Sequence, residues 1–307
     1  MKDTVTIITT YYNAEKYILY ALISVMSQQF DKNIFNLEYL IIDDHSEDET
    51  HELIDNVLNT RYADSQITVR HIVTPENLGC GGARKFGIDN ASGNYLMFLD
   101  ADDYYMNTSF VKRAYDVIFN EKADIVEYGI LVNYPNGSRQ NLKVLSKEVI
   151  ENKVQAECAL FKSNKIKFNI WSKIIKKSLA QSFPYSTSRK YEDVLTIPVW
   201  LWNAKKIVIM PTIEINYRYN TNSIIRKDSL NTRIETIKAI SSHFERFKNY
   251  KMILKAMYER SMIDLSAVLE DHDSNDEGFM EMCNLNRYML SYIYPEKYKE
   301  IAYNGED

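Results

Sequence analysis

Residues 95–103 form the stretch YLMFLDADD, in which an apolar run ends in three carboxylates. A short apolar run that follows a turn, here Ser92-Gly93, is typical of a buried strand. In open α/β sheets, ligands bind beyond the carboxyl ends of the strands. Two carboxylates one residue apart can face the same divalent cation, because Mg²⁺ and Mn²⁺ prefer oxygen ligands. The alternative interpretation is an acidic turn that only caps the next helix.

The same pattern occurs earlier in the chain. Residues 37–42 predict a strand, and Asp43-Asp44-His45-Ser46 follow it directly. A carboxylate at that place can accept hydrogen bonds from a nucleobase imide or a ribose hydroxyl. The alternative is a helix N-cap whose acids complement the helix dipole.

Strand-like and helix-like segments alternate at short spacing over the first 130 residues, which predicts βαβ units and a mostly parallel sheet. Asn13 is predicted to cap a helix that has Ile18, Leu22 and Val25 on one face. The predicted strands of this part are 5–10, 37–42, 69–73, 95–99 and 124–133, and further helices are predicted at 47–58 and 83–90.

The pattern changes after residue 133. The segment up to residue 160 is predicted to be helical and polar, 171–180 a helix, and 206–219 a pair of strands. Beyond Asp228, apolar residues recur at helical spacing. We therefore predict an α/β domain over residues 1–228 and a helical appendage over residues 229–307.

Composition excludes several classes of protein. The chain has 37 basic and 42 acidic residues and a net charge of -5, so no positive field recruits nucleic acid. Its three cysteines lie far apart, which argues against a zinc site of paired cysteines or a disulfide framework and favours the cytoplasm. The apolar stripe of the appendage is expected to pack on the main domain. A homodimer through these helices and peripheral docking at the inner face of the membrane are the alternatives.

Residues 77–84, NLGCGGAR, place glycines and an arginine where a strand gives way to a helix. Backbone amides at a helix start favour anions, and the Arg84 guanidinium can clamp a phosphate or a base. The alternative is a flexible loop with a surface arginine. A dinucleotide-binding fingerprint would follow the first strand and not the third, so a nicotinamide cofactor is not predicted.

Taken in order, these motifs resemble those of the inverting family-2 glycosyltransferases. The resemblance covers about residues 4–225 and includes KYEDV at 190–194, which is similar to the family's Glu-Asp motif. It implies a GT-A fold, in which a Rossmann-like, mostly parallel sheet is flanked by helices. It also implies that Thr10, Tyr12 and Asp44 contact a nucleoside with Asp43 beside them, and that Arg84 approaches the base or the phosphates.

The resemblance extends to the reacting groups. Asp100 would lie near the ribose, and Asp102 would bind Mn²⁺ or Mg²⁺ together with the diphosphate. Asp193 would be the catalytic base, because an inverting transfer needs one carboxylate to take the proton of the acceptor hydroxyl. Glu192 would hold the acceptor or tune its neighbour. Trp171 is a candidate platform for an acceptor sugar, with a place in the core as the alternative.

The implied activity is transfer of a hexosyl or N-acetylhexosaminyl group from a UDP-sugar to a hydroxyl of a saccharide or lipid-linked acceptor, in bacterial surface polysaccharide synthesis. Two departures from the family pattern are Thr10, where proline is usual, and Lys85, where asparagine is common. A sugar-phosphate nucleotidyltransferase would favour a glycine- and lysine-rich loop after the first strand. A non-catalytic module that binds nucleotide sugars or glycans is the third alternative.

Overall fold

The computed structural model describes residues 2–219 and 229–269, together with several residues between 283 and 294. The chain divides into two compact units. The first comprises Met1–Lys153 and Lys167–Asn220, and the second comprises Val154–Ile166 and Thr221–Asp307. The predicted boundary at residue 228 lies outside the described residues, so the division into domains of 1–228 and 229–307 stays a prediction.

The first unit is built on a ten-stranded mixed sheet in the order β3-β2-β1-β4-β9-β6-β10-β5, with β7 paired to β6 and β8 paired to β10. The strands are β1 Thr4–Tyr11, β2 Asn36–Asp43, β3 Thr68–Val73, β4 Tyr95–Phe98, β5 Tyr104–Tyr105, β6 Ile125–Asn133, β7 Arg139–Leu142, β8 Glu148–Ile150, β9 Lys173–Lys176 and β10 Ile207–Arg218. The helices of the chain are α1 Ile18–Met26, α2 Thr50–Arg61, α3 Gly79–Asn90, α4 Phe110–Asn120, α5 Lys153–Phe161, α6 Lys177–Ser182, α7 Glu192–Asn203, α8 Ser229–Ser241, α9 Phe244–Phe247 and α10 Lys251–Leu269, with a 3₁₀ helix at Ile170–Ser172.

Strands β1 to β4 pair in parallel, as the alternating pattern predicts. The register places Tyr11 beside Asp43 and Ile8 beside Phe98. Strand β4 and the centre of β1 are buried, which explains why their sequences are almost continuously apolar. Because the strands run in the same direction, the residues that follow β1, β2 and β4 lie along one edge of the sheet.

The second half of the sheet differs from the sequence-based expectation. Strands β7 and β8 occupy part of the segment predicted to be helical up to residue 160. The helix predicted at 171–180 is instead a 3₁₀ helix, strand β9 and the short helix α6. Strand β9 lies between β4 and β6 and is antiparallel to both. A short apolar run is ambiguous between helix and strand, and pairing with two neighbours decides it here.

Three local predictions were also wrong. Asn13 does not cap α1, because its side-chain oxygen accepts the backbone N–H groups of Glu47 and Asp48, which precede α2. The glycines at 79–82 are not a loop, since they form the first turn of α3. Residues 207–218 form one long strand, whose pairing with β6 shifts register between Ile209 and Ile213.

The second unit contains α8, α9 and α10, together with α5 from Val154 onward. The helical spacing predicted for its apolar residues is confirmed, because Ile237, Ile240, Phe244 and Phe247 are all buried. The ring of Phe161 meets that of Phe247 edge to face, at 6.5 Å between centroids. Within the described parts of the chain, every helix is too short or too polar to cross a lipid bilayer.

A buried ion pair joins β9 to β6. The Lys173 ammonium lies 2.7 Å from a carboxylate oxygen of Glu127, and both side chains are almost fully buried. The ammonium also donates hydrogen bonds to the carbonyls of Lys167 and Asn169. Lys173 therefore ties the chain that enters the 3₁₀ helix to the centre of the sheet.

We expect Lys173→Met to lower the free energy of unfolding by about 3–5 kcal/mol, because it leaves the Glu127 carboxylate buried without a cation. Urea denaturation measures this loss. The double variant Lys173→Met/Glu127→Leu removes both charges and should recover part of the stability. A double variant that is less stable than Lys173→Met would contradict this account.

Candidate active site

The Asp44 carboxylate lies at the start of helix α3. Its two oxygens accept the backbone N–H groups of Leu78 and Gly79, at 2.8 Å each, and the side chain is buried. These are among the backbone donors that a helix start leaves without partners, and a carboxylate also complements the helix dipole there. Asp44 thus caps a helix, but the helix is α3 and not the one that follows Asp44 in sequence. Its contact with a nucleoside stays a prediction.

Gly81 lets helix α3 approach the segment that leads to α7. A Cβ atom at Gly81 would lie 2.3 Å from the carbonyl oxygen of Ser188 and 2.6 Å from that of Ser186. No side chain fits in that space without a backbone shift. The glycine run therefore serves close packing, and the same packing sets Arg84, one turn further along α3, against α7.

The Arg84 guanidinium connects three carboxylates from two distant parts of the chain. Nη2 donates to Asp100 at 2.6 Å, and Nη1 donates to Glu192 and lies 3.3 Å from Asp193. The arginine side chain is 6% exposed. A buried guanidinium is stable only with such partners. The structure thus brings Arg84, Asp100, Glu192 and Asp193 together, while the contact of Arg84 with a nucleotide stays a prediction.

Asp193 is held by three groups. The Tyr185 hydroxyl and Arg84 Nη1 donate to one carboxylate oxygen, and the backbone N–H of Ile170 lies 3.4 Å from the other. Burial raises the pKa of Asp193, and the Arg84 charge opposes that rise. The side chain keeps 19% of its surface exposed, so a ligand can reach it. Tyr185 belongs to no motif, and nothing in its spacing could have identified it.

Glu192 begins helix α7 beside Asp193. The preceding residue, Tyr191, has a left-handed backbone with φ of 59°, which turns the chain into the helix. Acids in a first helical turn are favoured by the dipole. Burial raises the pKa of Glu192, and Arg84 lowers it. The pair predicted from sequence therefore stands at a helix start, facing the same arginine.

The acidic stretch after β4 contains carboxylates in different surroundings. Asp103 is fully buried, accepts the backbone N–H of Arg218 at 2.9 Å, and has one oxygen without a hydrogen-bond partner. Burial raises its pKa well above the ordinary value. Asp102 is partly exposed and bonds to no other side chain among the described residues. Burial raises the pKa of Asp102 to about 6, and the neighbouring negative charge of Asp100 is the second cause of this rise.

The remaining predicted residues lie at the same edge or near it. Thr10 is half-buried at the end of β1, and Tyr12 just beyond it is 48% exposed. Asp43 ends β2 and pairs in register with Tyr11, between those two residues. Trp171 is buried, and its ring stacks on that of Tyr217 at 5.2 Å between centroids. One face of the indole is thus covered, and its role as an acceptor platform stays a prediction.

Comparison with known structures places the fold in a class. A Staphylococcus aureus TarS structure, residues 1–349 in complex with UDP-GlcNAc, aligns with a TM-score of 0.60 and 18% identity, over 95% of this chain and 91% of TarS. The mannosyltransferase PcManGT from Pyrobaculum calidifontis, in complex with GDP-Man and Mn²⁺, aligns with a TM-score of 0.60 and 13% identity, over 97% and 88% of the two chains. The fold is that of GT-A glycosyltransferases, as predicted.

Sequence comparison narrows the class to a family. The model of glycosyl transferase family 2 matches residues 6–183, and the chain belongs to this family. An uncharacterized glycosyltransferase of Haemophilus influenzae is 35% identical over 109 residues. That match spans 36% of this chain and 40% of the Haemophilus protein.

We expect Arg84→Met to lower the free energy of unfolding by about 3–5 kcal/mol, because it removes the cation from three carboxylates. The loss should be smaller at pH 5 than at pH 8. Without Arg84, the folded-state pKa values of Glu192 and Asp193 rise further, and protonation then relieves the repulsion. Urea denaturation at both pH values measures the effect. The control Lys85→Met, which breaks an ion pair with Asp89 on the same helix, should change stability by about 0.5 kcal/mol or less.

Asp102 should titrate with a midpoint near pH 6, as its environment indicates. We expect Asp100→Asn to lower this midpoint, because it removes a neighbouring negative charge. Carboxyl ¹³C NMR measures the titration, and the signal is assigned by its loss in Asp102→Asn. A midpoint near 4 in the unaltered protein would contradict the assigned burial of Asp102.

Proposed function

We propose that this chain catalyses an inverting transfer of a sugar from a UDP-sugar to an acceptor hydroxyl, with Asp193 as the base. The observation that carries the proposal is the shared guanidinium of Arg84, which sets Asp193 beside Asp100 at the carboxyl edge of the sheet. A donor ribose near Asp100 and an acceptor hydroxyl near Asp193 would then lie on two sides of the anomeric carbon.

The environment of Asp193 suits a general base. A base works best when its pKa lies near the working pH and its geometry is fixed. Burial moves the pKa upward from that of an ordinary carboxylate, while Arg84 favours the ionised form. Tyr185 and the Ile170 amide restrict the orientation of the carboxylate. Arg84 and Tyr185 are thus positioning residues in this proposal, and Glu192 balances the arginine charge.

The donor site proposed here uses the ends of β1 and β2. Thr10 lies near the end of β1 and Tyr12 just beyond it, and the exposed Tyr12 ring is available to a nucleobase. TarS binds UDP-GlcNAc in the aligned structure, which supports a UDP-sugar as the donor. We propose a saccharide or lipid-linked acceptor.

Asp102 fits a divalent cation. Its carboxylate is partly exposed, lies two residues from Asp100 and forms no ion pair within 4 Å among the described residues. Burial and the neighbouring charge of Asp100 raise its pKa, while the more distant Arg218 and Arg84 oppose that rise. Mn²⁺ or Mg²⁺ held there would neutralise the charge of the leaving diphosphate. Asp103 is fully buried, and one of its oxygens accepts the backbone N–H of Arg218, so Asp102 is the more accessible carboxylate.

The test is Asp193→Asn, which keeps the shape of the side chain and removes the base. We expect the rate of transfer from UDP-GlcNAc or another UDP-sugar to fall by about 10²- to 10⁴-fold. Isothermal titration should show UDP binding unchanged within about twofold. Release of UDP and mass spectrometry of the glycosylated product measure the reaction, with a panel of saccharide and lipid-linked acceptors.

Asp89→Asn is the matched control, since Asp89 is exposed on α3 and pairs only with Lys85 among the described residues. Its turnover should equal that of the unaltered protein. Equal turnover in Asp193→Asn would remove Asp193 from the role of base. A product with retained anomeric configuration would overturn the inverting mechanism.

A further inference from the structure

A second polar cluster lies behind the end of β1. Successive residues of a strand face opposite sides of the sheet, so Tyr11 faces away from Thr10. Its hydroxyl lies 2.7 Å from Nε2 of His71 on β3. His51 and Asp55 stand one turn apart on α2 and complete the cluster. None of these three residues of α2 and β3 has a part in the proposed transfer.

The atoms of this cluster are arranged like metal ligands. Asp55 Oδ1 lies 2.6 Å from His71 Nδ1, and Asp55 Oδ2 lies 3.5 Å from His51 Nε2. One ligand atom from each of the three residues lies within 4.8 Å of the other two. Two imidazoles and a carboxylate form a common ligand set for Zn²⁺ and related ions.

The second nitrogen of each histidine also has a suitable partner. His51 Nδ1 lies 3.1 Å from the Asp43 carboxylate, and His71 Nε2 lies beside the Tyr11 hydroxyl. Histidines that bind a metal through one nitrogen usually donate the other N–H to an oxygen, which fixes the tautomer and the ring. Here both histidines have that outer partner.

The carboxylates in and beside the cluster have no lysine or arginine partner among the described residues. Within the described parts of the chain, neither Asp43 nor Asp55 forms an ion pair with lysine or arginine, and their ionic partners are the two histidines. His51 and Asp55 are 34% and 47% exposed, so an ion can reach the cluster from solvent.

We propose that His51, Asp55 and His71 bind a divalent transition-metal ion such as Zn²⁺, at a site separate from the one proposed at Asp102. Tetrahedral Zn²⁺ with bonds of 2.0–2.1 Å holds its ligand atoms roughly 3.3 Å apart. The separations found here, 2.6 Å between Asp55 and His71 and 3.5 Å between Asp55 and His51, lie on either side of that value. Binding would lengthen the shorter contact, and the Asp55 side chain is 47% exposed, which leaves room for that shift. The ion would tie α2 to β3 and, through Tyr11 and Asp43, to the strand ends that carry the proposed nucleoside site.

The experiment is a titration of the full chain with Zn²⁺ by calorimetry, and with Co²⁺ by visible absorption. Asp102→Asn is the background, so that the other proposed site does not contribute. We expect one equivalent of metal per chain. His51→Ala should weaken binding by at least about 100-fold, and Tyr11→Phe, which removes only an outer partner, by about tenfold.

His45→Asn is the matched control. It removes a histidine outside the cluster, and asparagine tolerates the positive φ of 67° at that position. Binding should be unchanged in this variant. The ultraviolet circular dichroism spectrum of each variant reports that it is folded, and His51 is exposed enough for its truncation to be tolerated. If the chain binds no stoichiometric metal, or binds it equally well with and without His51, the proposed metal site is wrong. The cluster would then be a hydrogen-bonded group of titratable side chains and nothing more.

Discussion

The candidate active site depends on one buried guanidinium. Arg84 faces Asp100 after β4 and Glu192 and Asp193 at the start of α7, and these carboxylates could not be buried side by side without it. Its place is set in turn by backbone contacts of helix α3, because Asp44 holds the first turn and Gly81 admits the 186–188 segment. A structural constraint on one helix thus determines where the proposed base stands.

Neighbouring acids in one short stretch acquire different properties from their surroundings. Asp100 forms an ion pair with Arg84, Asp102 is left without a partner side chain in the described residues, and Asp103 is buried against backbone. Burial raises the pKa of both Asp102 and Asp103. The three side chains therefore suit different tasks, although their residue type is identical.

The alternation of side chains along β1 divides the chemistry of this region. Thr10 faces the side of the sheet opposite to Tyr11, and the Tyr11 hydroxyl lies beside His71 of β3. Asp43 connects the two sides, because it ends β2 next to Tyr11 and lies beside His51. The histidine cluster thus lies next to the strand ends on which donor binding is proposed to depend.

Local pattern alone was enough to predict the parallel strands β1 to β4 and the acidic residues at the strand ends, because buried strands and their exit loops have a recognisable composition. The GT-A fold was predicted from the resemblance of the ordered motifs to those of a known family. Pattern failed for β7, β8 and β9, which lie in segments predicted to be helical and become strands through pairing with neighbours in the sheet. It also could not identify Tyr185, the partners of Arg84 or the joining of His51 with His71. Those contacts link residues far apart in sequence, and only the packed chain brings them within bonding distance.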